Sequence, residues 1–233
     1  MSKYIVATLK DWNINQYNTC GFSKNKKFIL ITDPKKLTFK NINTIKPKYI
    51  FFPHWSFKVN EKIINNFNCV CFHETKVPYG RGGSPIQNLI EKNHKNTFIT
   101  ALKMSNILDA GPIYMRDFLS LKGSAEEIYE RASIIIFKMI KKIIIRNPKP
   151  FKQKGKVTIF KRRKPSQSNI LKNISSLNKI YNHIRMLDAK SYPNAYIKYG
   201  KMILEFKSAK FGKKNIEAKV NIRLFSKKND KKK

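Results

Sequence analysis

The sequence predicts an α/β domain on a mainly parallel sheet, followed by a small α+β module. Three observations carry that prediction. Short runs of β-branched and aromatic residues alternate with helix-length stretches up to about position 110. Several of those runs are continuously apolar, as strands covered on both faces are. The periodicity then changes after a polar, proline-containing stretch, NPKPFKQKGK, at residues 147–156.

In chain order the expected strands are YIVATL (4–9), FILITD (28–33), KYIFFPH (48–54), NCVCFH (68–73) and FITALKMS (98–105). Between them, NEKIINNF (60–67) and SPIQNLIEK (84–92) have helical spacing, the second with Ser84 placed to cap and Pro85 at the first helical position. A longer helix is expected within residues 123–148, where Ser124 and Glu127 form a capping-box signature and Ala125, Ile128, Ala132, Ile135, Met139 and Ile143 recur on one face. Beyond the linker come a strand at KVTIF (156–160), a helix in SLNKIYNHIRML (176–187) and a hairpin over 194–209 turning near Gly200. The expected division is a catalytic domain at 1–147, a small module at 148–225 and a disordered basic tail at 226–233.

Of the 233 residues, 41% are hydrophobic, enough for a real core and too many for a disordered polyelectrolyte. The net charge of +35 points to anionic partners. Most of the basic residues are Lys spread along the chain, whereas bidentate base and phosphate recognition favours Arg. Three cysteines, Cys20, Cys69 and Cys71, lack the spacing of a disulfide framework. The opening MSKYIVATLKDW has too short an apolar run for a secretory leader, and Lys138, Lys141 and Lys142 interrupt IIIFKMIKKIII, so membrane insertion is not expected. A cytoplasmic location is the expectation.

The segment CFHETKVPYGRGGSPIQN (71–88) holds three of the nine glycines. By itself GRGG is a turn, because it lacks the spacing and GK[ST] ending of a phosphate loop. Cys69, Cys71 and His73 suggest a metal site, but alternate strand residues lie ~6.6 Å apart, too wide for one tetrahedral ion. His73 sits at the carboxyl end of its strand, where open α/β sheets place ligands. Asp109 follows 36 residues later, ahead of a glycine turn in LDAGPIY. An imidazole and a carboxylate at neighbouring strand ends can share a proton and orient one another, as acyl-type transfer needs.

The pattern of His73, Pro78, Arg81-Gly82 and Pro85-Ile86, followed by Asp109, Gly111 and Ile113, resembles the formyltransferase family. The likeness is firm over residues 48–146 and weaker from RRKPSQSNI through IRMLDAKSYPNAYIKYG, which resembles the family's carboxyl-terminal module. It implies a Rossmann-like fold with an abbreviated amino-terminal half, and 10-formyltetrahydrofolate as co-substrate without a metal. It also implies that His73 steadies the oxyanion while Asp109 orients it and moves a proton. Met104, Leu108, Ala110 and Gly111 would line the pteridine, with His54, Trp55 and Ser56 closing the other side. Tyr79, Arg81, Gly82 and Asn88 are the acceptor-side candidates, Arg81 equally suited to tying down its own loop. The family carries Asn two residues before the histidine and this chain carries Cys71, a weak donor at a catalytic position; Thr75, His54 and Ser84 are candidates to replace the lost amide. The expected acceptor is a nucleotide-linked amino sugar, with a homodimer compatible. The alternatives are methionyl-tRNA, or a folate- or RNA-binding protein that has lost turnover.

Overall fold

The computed structural model of the chain describes residues 2–171, 174–190 and 192–225. The expected basic tail, 226–233, lies outside them. The described chain divides into two compact units. The first comprises residues up to Pro85 with Asn96–Ser120 and Tyr129–Lys161; the second comprises Ile86–Lys95, Leu121–Ile128 and the residues from Arg162 on.

In chain order the elements are β1 (Tyr4–Ala7), α1 (Asp11–Thr19), β2 (Phe28–Ile31), α2 (Phe39–Ile45), β3 (Tyr49–Phe52), α3 (Glu61–Asn66) and β4 (Cys69–His73). They continue with β5 (Arg81–Gly82), α4 (Pro85–Glu91), β6 (Asn96–Lys103), β7 (Ile113–Ser120), α5 (Ala125–Arg146) and β8 (Ile159–Phe160). Last come α6 (Leu177–Arg185), β9 (Ala195–Tyr199), β10 (Met202–Phe211) and β11 (Ile216–Leu224).

The first unit is built on a six-stranded sheet in the order β2-β1-β3-β4-β6-β7. Strands β2, β1, β3 and β4 run parallel, whereas β6 and β7 pair antiparallel. All four residues of β1 and of β3 are buried, which is why these runs carry no polar alternation. Ile5, Ile42, Ile50, Phe52, Ile63 and Cys69 form one core cluster. Register then sets the site: Phe52 lies opposite Cys71, so β3 and β4 deliver their last residues to the same edge of the sheet. Helix α5 carries the expected capping box, with Glu127 N donating to Ser124 Oγ and Ser124 N donating to Glu127 Oε2. Its apolar face buries Ile128, Ala132, Phe137, Met139, Ile140 and Ile143, leaving Lys138, Lys141 and Lys142 exposed.

Several elements differ from the sequence expectation. Helices α1 and α2 are Asn-rich, and Asn is a poor helix former; each buries few apolar residues, Trp12 and Tyr17 in one and Ile42 in the other. Strand β7 carries Arg116 and Asp117 at mid-length, which hides it as a strand. Ser84, read as a helix cap, has φ of +50°, whereas an N-cap residue is ordinarily extended; the helix does begin at Pro85.

In the second unit β11, β10 and β9 form an antiparallel sheet, with the expected turn at Gly200. Helix α6 packs against β10, and Ile184, Met186, Leu187, Ala195 and Ile203 supply the core. Buried Arg185 donates to the carbonyls of Leu121 and Gly123 and to Asn182 Oδ1, so its charge is enclosed by acceptors. Among the described residues, no helix is long and apolar enough to cross a membrane.

Two glycines are required by close approach. Gly82 has φ of +102°, and a methyl there would lie 2.5 Å from the Phe160 carbonyl oxygen of β8. A methyl at Gly111 would run into the Lys103 carbonyl oxygen at the end of β6. Backbone cannot yield as a flexible side chain does, so Gly111→Ala is expected to destabilise the protein by about 3 kcal/mol. Denaturant unfolding of the variant checks this, and an unchanged midpoint would contradict the close approach.

Candidate active site

His73 ends β4 with its ring buried, and its Nε2 lies 2.7 Å from the Gly80 carbonyl. A carbonyl can only accept, so Nε2 carries a proton. The other nitrogen, Nδ1, lies 3.5 Å from Asp109 Oδ2, within ion-pair reach and longer than a tight hydrogen bond. The carboxyl group of Asp109 therefore faces Nδ1 and can orient the ring without closing a tight hydrogen bond to it.

Asp109 has φ of +52°, in the left-handed region that Asp tolerates better than most residues. Its Oδ2 also accepts from the Gly82 N–H at 2.9 Å. The Gln153 amide donates to the Asp109 and Gly111 carbonyls, each at 2.8 Å, while its oxygen accepts from Arg81 Nε and Nη2. Arg81 thus ties its own loop to the Asp109 turn. Gly80 N–H donates to Thr158 Oγ1 at 2.7 Å, completing the GRGG turn. Thr75 is fully buried and donates its hydroxyl to the Gly80 carbonyl at 3.3 Å.

Cys71 packs against Val77, Leu102 and Ile113. Burial pushes its thiol well above the ordinary value, and the Asp109 charge adds to the effect, so it remains a neutral thiol. Burial likewise pushes Cys69 up to about 12. Among the described residues, no group of three His, Cys, Asp or Glu side chains is placed to hold a metal ion.

The other expected residues are dispersed. Met104 packs against the core cluster, Gly111 is buried, Ala110 is half-buried and Leu108 is 70% exposed on the same loop. Trp55 is half-buried, edge-on to Phe52, and its indole N–H has no hydrogen-bond partner among the described residues; Ser56 is exposed. Tyr79 stands edge-on to Phe160. Asn88 lies on α4, in the second unit.

Sequence reasoning missed Gln153, Glu74, Trp12 and Asn13. His54 Nε2 lies 2.7 Å from Glu74 Oε1, and its Nδ1 lies 3.0 Å from Trp12 Nε1 and 3.0 Å from Asn13 Nδ2. Burial pushes the Glu74 carboxyl up, but the His54 ring and its hydrogen bond, with the His73 ring beyond, bring it below the usual carboxylate range.

With this geometry fixed, known proteins supply the context. A family model described as "Methionyl-tRNA formyltransferase, C-terminal domain" matches residues 165–223. The solved methionyl-tRNA formyltransferase from Clostridium thermocellum is 45% identical with a TM-score of 0.93, the match covering 97% of this chain and 100% of that one. The chain belongs to the formyltransferase family. Among the curated formyltransferases, methionyl-tRNA formyltransferase from Mesoplasma florum is 25% identical over 205 residues, 83% of this chain and 64% of that protein. The match therefore spans less than two thirds of that relative's length, and a shorter match to the Thermotoga maritima protein, 30% identical over 89 residues, covers 37% of this chain and 28% of that protein. At the level of fold alone, the formyltransferase architecture recurs in two distant proteins. One is HypX from Aquifex aeolicus in complex with tetrahydrofolic acid, with TM-score 0.73, 13% identity and coverage of 89% and 37% of the two chains. The other is a sugar N-formyltransferase from Shewanella, with TM-score 0.70, 16% identity and coverage of 91% and 100%.

The depressed Glu74 carboxyl has a signed consequence. A group whose folded value lies below its ordinary 4.5 stabilises the protein above that value and loses the contribution as pH falls through the folded value. Unfolding free energy is expected to drop as the pH is lowered from about 5, and Glu74→Gln should flatten that drop. An identical acid profile in the variant would contradict the depressed carboxyl.

Proposed function

We propose that the chain moves a formyl group from 10-formyltetrahydrofolate to a primary amine, and that the amine is the α-amino group of methionyl-tRNA. The observation that carries this reading is the 45% identity to a methionyl-tRNA formyltransferase covered along its whole length. It favours the tRNA acceptor over the amino sugar expected from the compact chain, its small second module and its scarce Arg. A methionyl-tRNA formyltransferase of matching length removes the argument from compactness, and the sugar N-formyltransferase likeness, at 16% identity, extends to the fold alone. The net charge of +35 suits a polyanionic acceptor.

The folate would supply the formyl group. Ile107 and Leu108, 71% and 70% exposed on the loop entering Asp109, offer it an apolar face, and the unpartnered Trp55 N–H offers a donor. The chain's own residues have three tasks. His73, held at the end of β4 by the Gly80 carbonyl and facing Asp109, is the group that would steady the formyl oxygen as it gains negative charge. Asp109 orients the ring, and its carboxylate can accept the proton that the attacking amine must lose. The turn fixed by Gln153 and Gly82 keeps that carboxylate in place before the substrates arrive.

The test is formyl transfer by the purified protein to methionyl-tRNA, compared with nucleotide-linked amino sugars. Transfer is expected with the tRNA, falling steeply as salt is raised. His73→Ala should abolish it, and Asp109→Asn should slow it by about 10²-fold or more without loss of the fold. Turnover with a sugar alone would restore the amino-sugar reading, and folate binding with no turnover would favour a protein that has lost the reaction.

A further inference from the structure

Among the described residues, the three-stranded sheet of the second unit is closed at one edge and open at the other. At the β9 edge Asn169 bridges Tyr196, and the Ile170 N–H donates to the Tyr196 carbonyl at 2.7 Å. At the other edge β11 pairs with β10 and, among the described residues, with no further strand. It is nine residues long, and Val220, Ile222 and Leu224 along it are 47%, 60% and 73% exposed. A long edge strand with an exposed apolar row is a template for another strand unless something blunts it. β11 contains no Pro, and the extra residue of its register shift sits in β10, between Lys207 and Lys210.

The ladder fixes which backbone groups of β11 face the open edge. The Phe225 N–H donates to the Lys201 carbonyl at 2.7 Å, continuing the register in which Leu224 faces Met202. Bonding residues alternate in an antiparallel ladder, so Arg223, Asn221 and Lys219 bond to β10 in step with Phe225. Val220, Ile222 and Leu224 therefore turn their N–H and C=O groups outward. Side chains alternate as well: Arg223 and Asn221 lie on the opposite face, where both donate to the Glu205 carboxylate.

A two-fold axis normal to the sheet pairs β11 with itself antiparallel and keeps both apolar faces on one side. Centred on Val220, that pairing uses the whole strand, Ile216–Leu224. On the apolar face it sets Val220 opposite itself, Ala218 opposite Ile222 and Ile216 opposite Leu224. On the other face it sets Glu217 opposite Arg223, twice by symmetry, and Lys219 opposite the uncharged Asn221. Centring on Lys219 would bring two lysines face to face, and centring on Asn221 would set Lys219 against Arg223. Centring on Ala218 or Ile222 leaves one end of the strand unpaired. The charges of β11 thus select one register.

We infer that β11 is a self-association edge, at which two copies of the chain join their three-stranded sheets about Val220 into one sheet of six. The net charge of +35 opposes the encounter, but physiological salt screens it beyond about 8 Å and leaves the short-range pairs to decide. None of these residues belongs to the proposed catalytic set, so the test needs no turnover.

The test is sedimentation equilibrium of nucleic-acid-free protein across the micromolar range, in low and in raised salt. Monomer and dimer in equilibrium are expected, and the dimer should persist in raised salt, unlike tRNA binding. Val220→Lys sets two cations on the axis and Glu217→Arg sets Arg against Arg223; each should weaken association about tenfold or more. Tyr199→Lys, on the same apolar face but on β9, should leave association unchanged. All three positions are exposed, and thermal unfolding checks that each variant keeps its fold. A chain that is monomeric throughout, or a dimer indifferent to both β11 variants, would overturn the self-association edge. Loss of the dimer in Tyr199→Lys would also overturn it, by assigning association to stacking of the sheet faces. A dimer that dissolves in raised salt would overturn it by assigning association to a bridging polyanion.

Discussion

One oxygen atom, Asp109 Oδ2, has to meet the Gly82 N–H and His73 Nδ1 at once. Much of the first unit can be understood as what that convergence requires. β4 must end at His73, and the turn after it must bring the Gly80 carbonyl to the far side of the ring. β6 and β7 must approach so closely at Gly111 that no side chain fits there. The turn between them must then place Asp109 in a left-handed conformation, which Gln153 holds by its carbonyl. The glycines of the GRGG turn follow from the same geometry, since β8 passes against their backbone.

A buried carboxylate is costly unless its charge is answered, and the first unit sets two of them against imidazoles, Asp109 against His73 and Glu74 against His54. His54 Nε2 stands 2.7 Å from Glu74 Oε1, while Trp12 and Asn13 occupy the ring's other nitrogen. Parallel pairing of β3 with β4 makes the arrangement compact: one edge of the sheet supplies both rings, and α1 supplies the donors that fix one of them.

The strands of the parallel part were legible because full burial leaves an uninterrupted apolar signature, as in YIVA and YIFF. The polar helices α1 and α2 were not, because they bury too few residues for a stripe to stand out against Asn and Lys. β11 was hidden for a related reason: Val220, Ile222 and Leu224 alternate correctly but remain exposed, so nothing in its surroundings demanded a strand. At the site, His73 and Asp109 could be paired from chemistry and spacing. Gln153 could not, being an uncharged residue 72 positions from the Arg81 it holds. Glu74 carried no signal in the sequence, because only the fold reveals that it faces a histidine just beyond the neighbouring strand.

The central claim is that His73 and Asp109 act as one unit rather than as two independent contributors. A double-mutant cycle on the formyl-transfer rate, with His73→Ala, Asp109→Asn and both together, tests it most directly. A single unit predicts that the double variant is no slower than His73→Ala alone. Losses that multiply would contradict the claim and assign the two residues separate work.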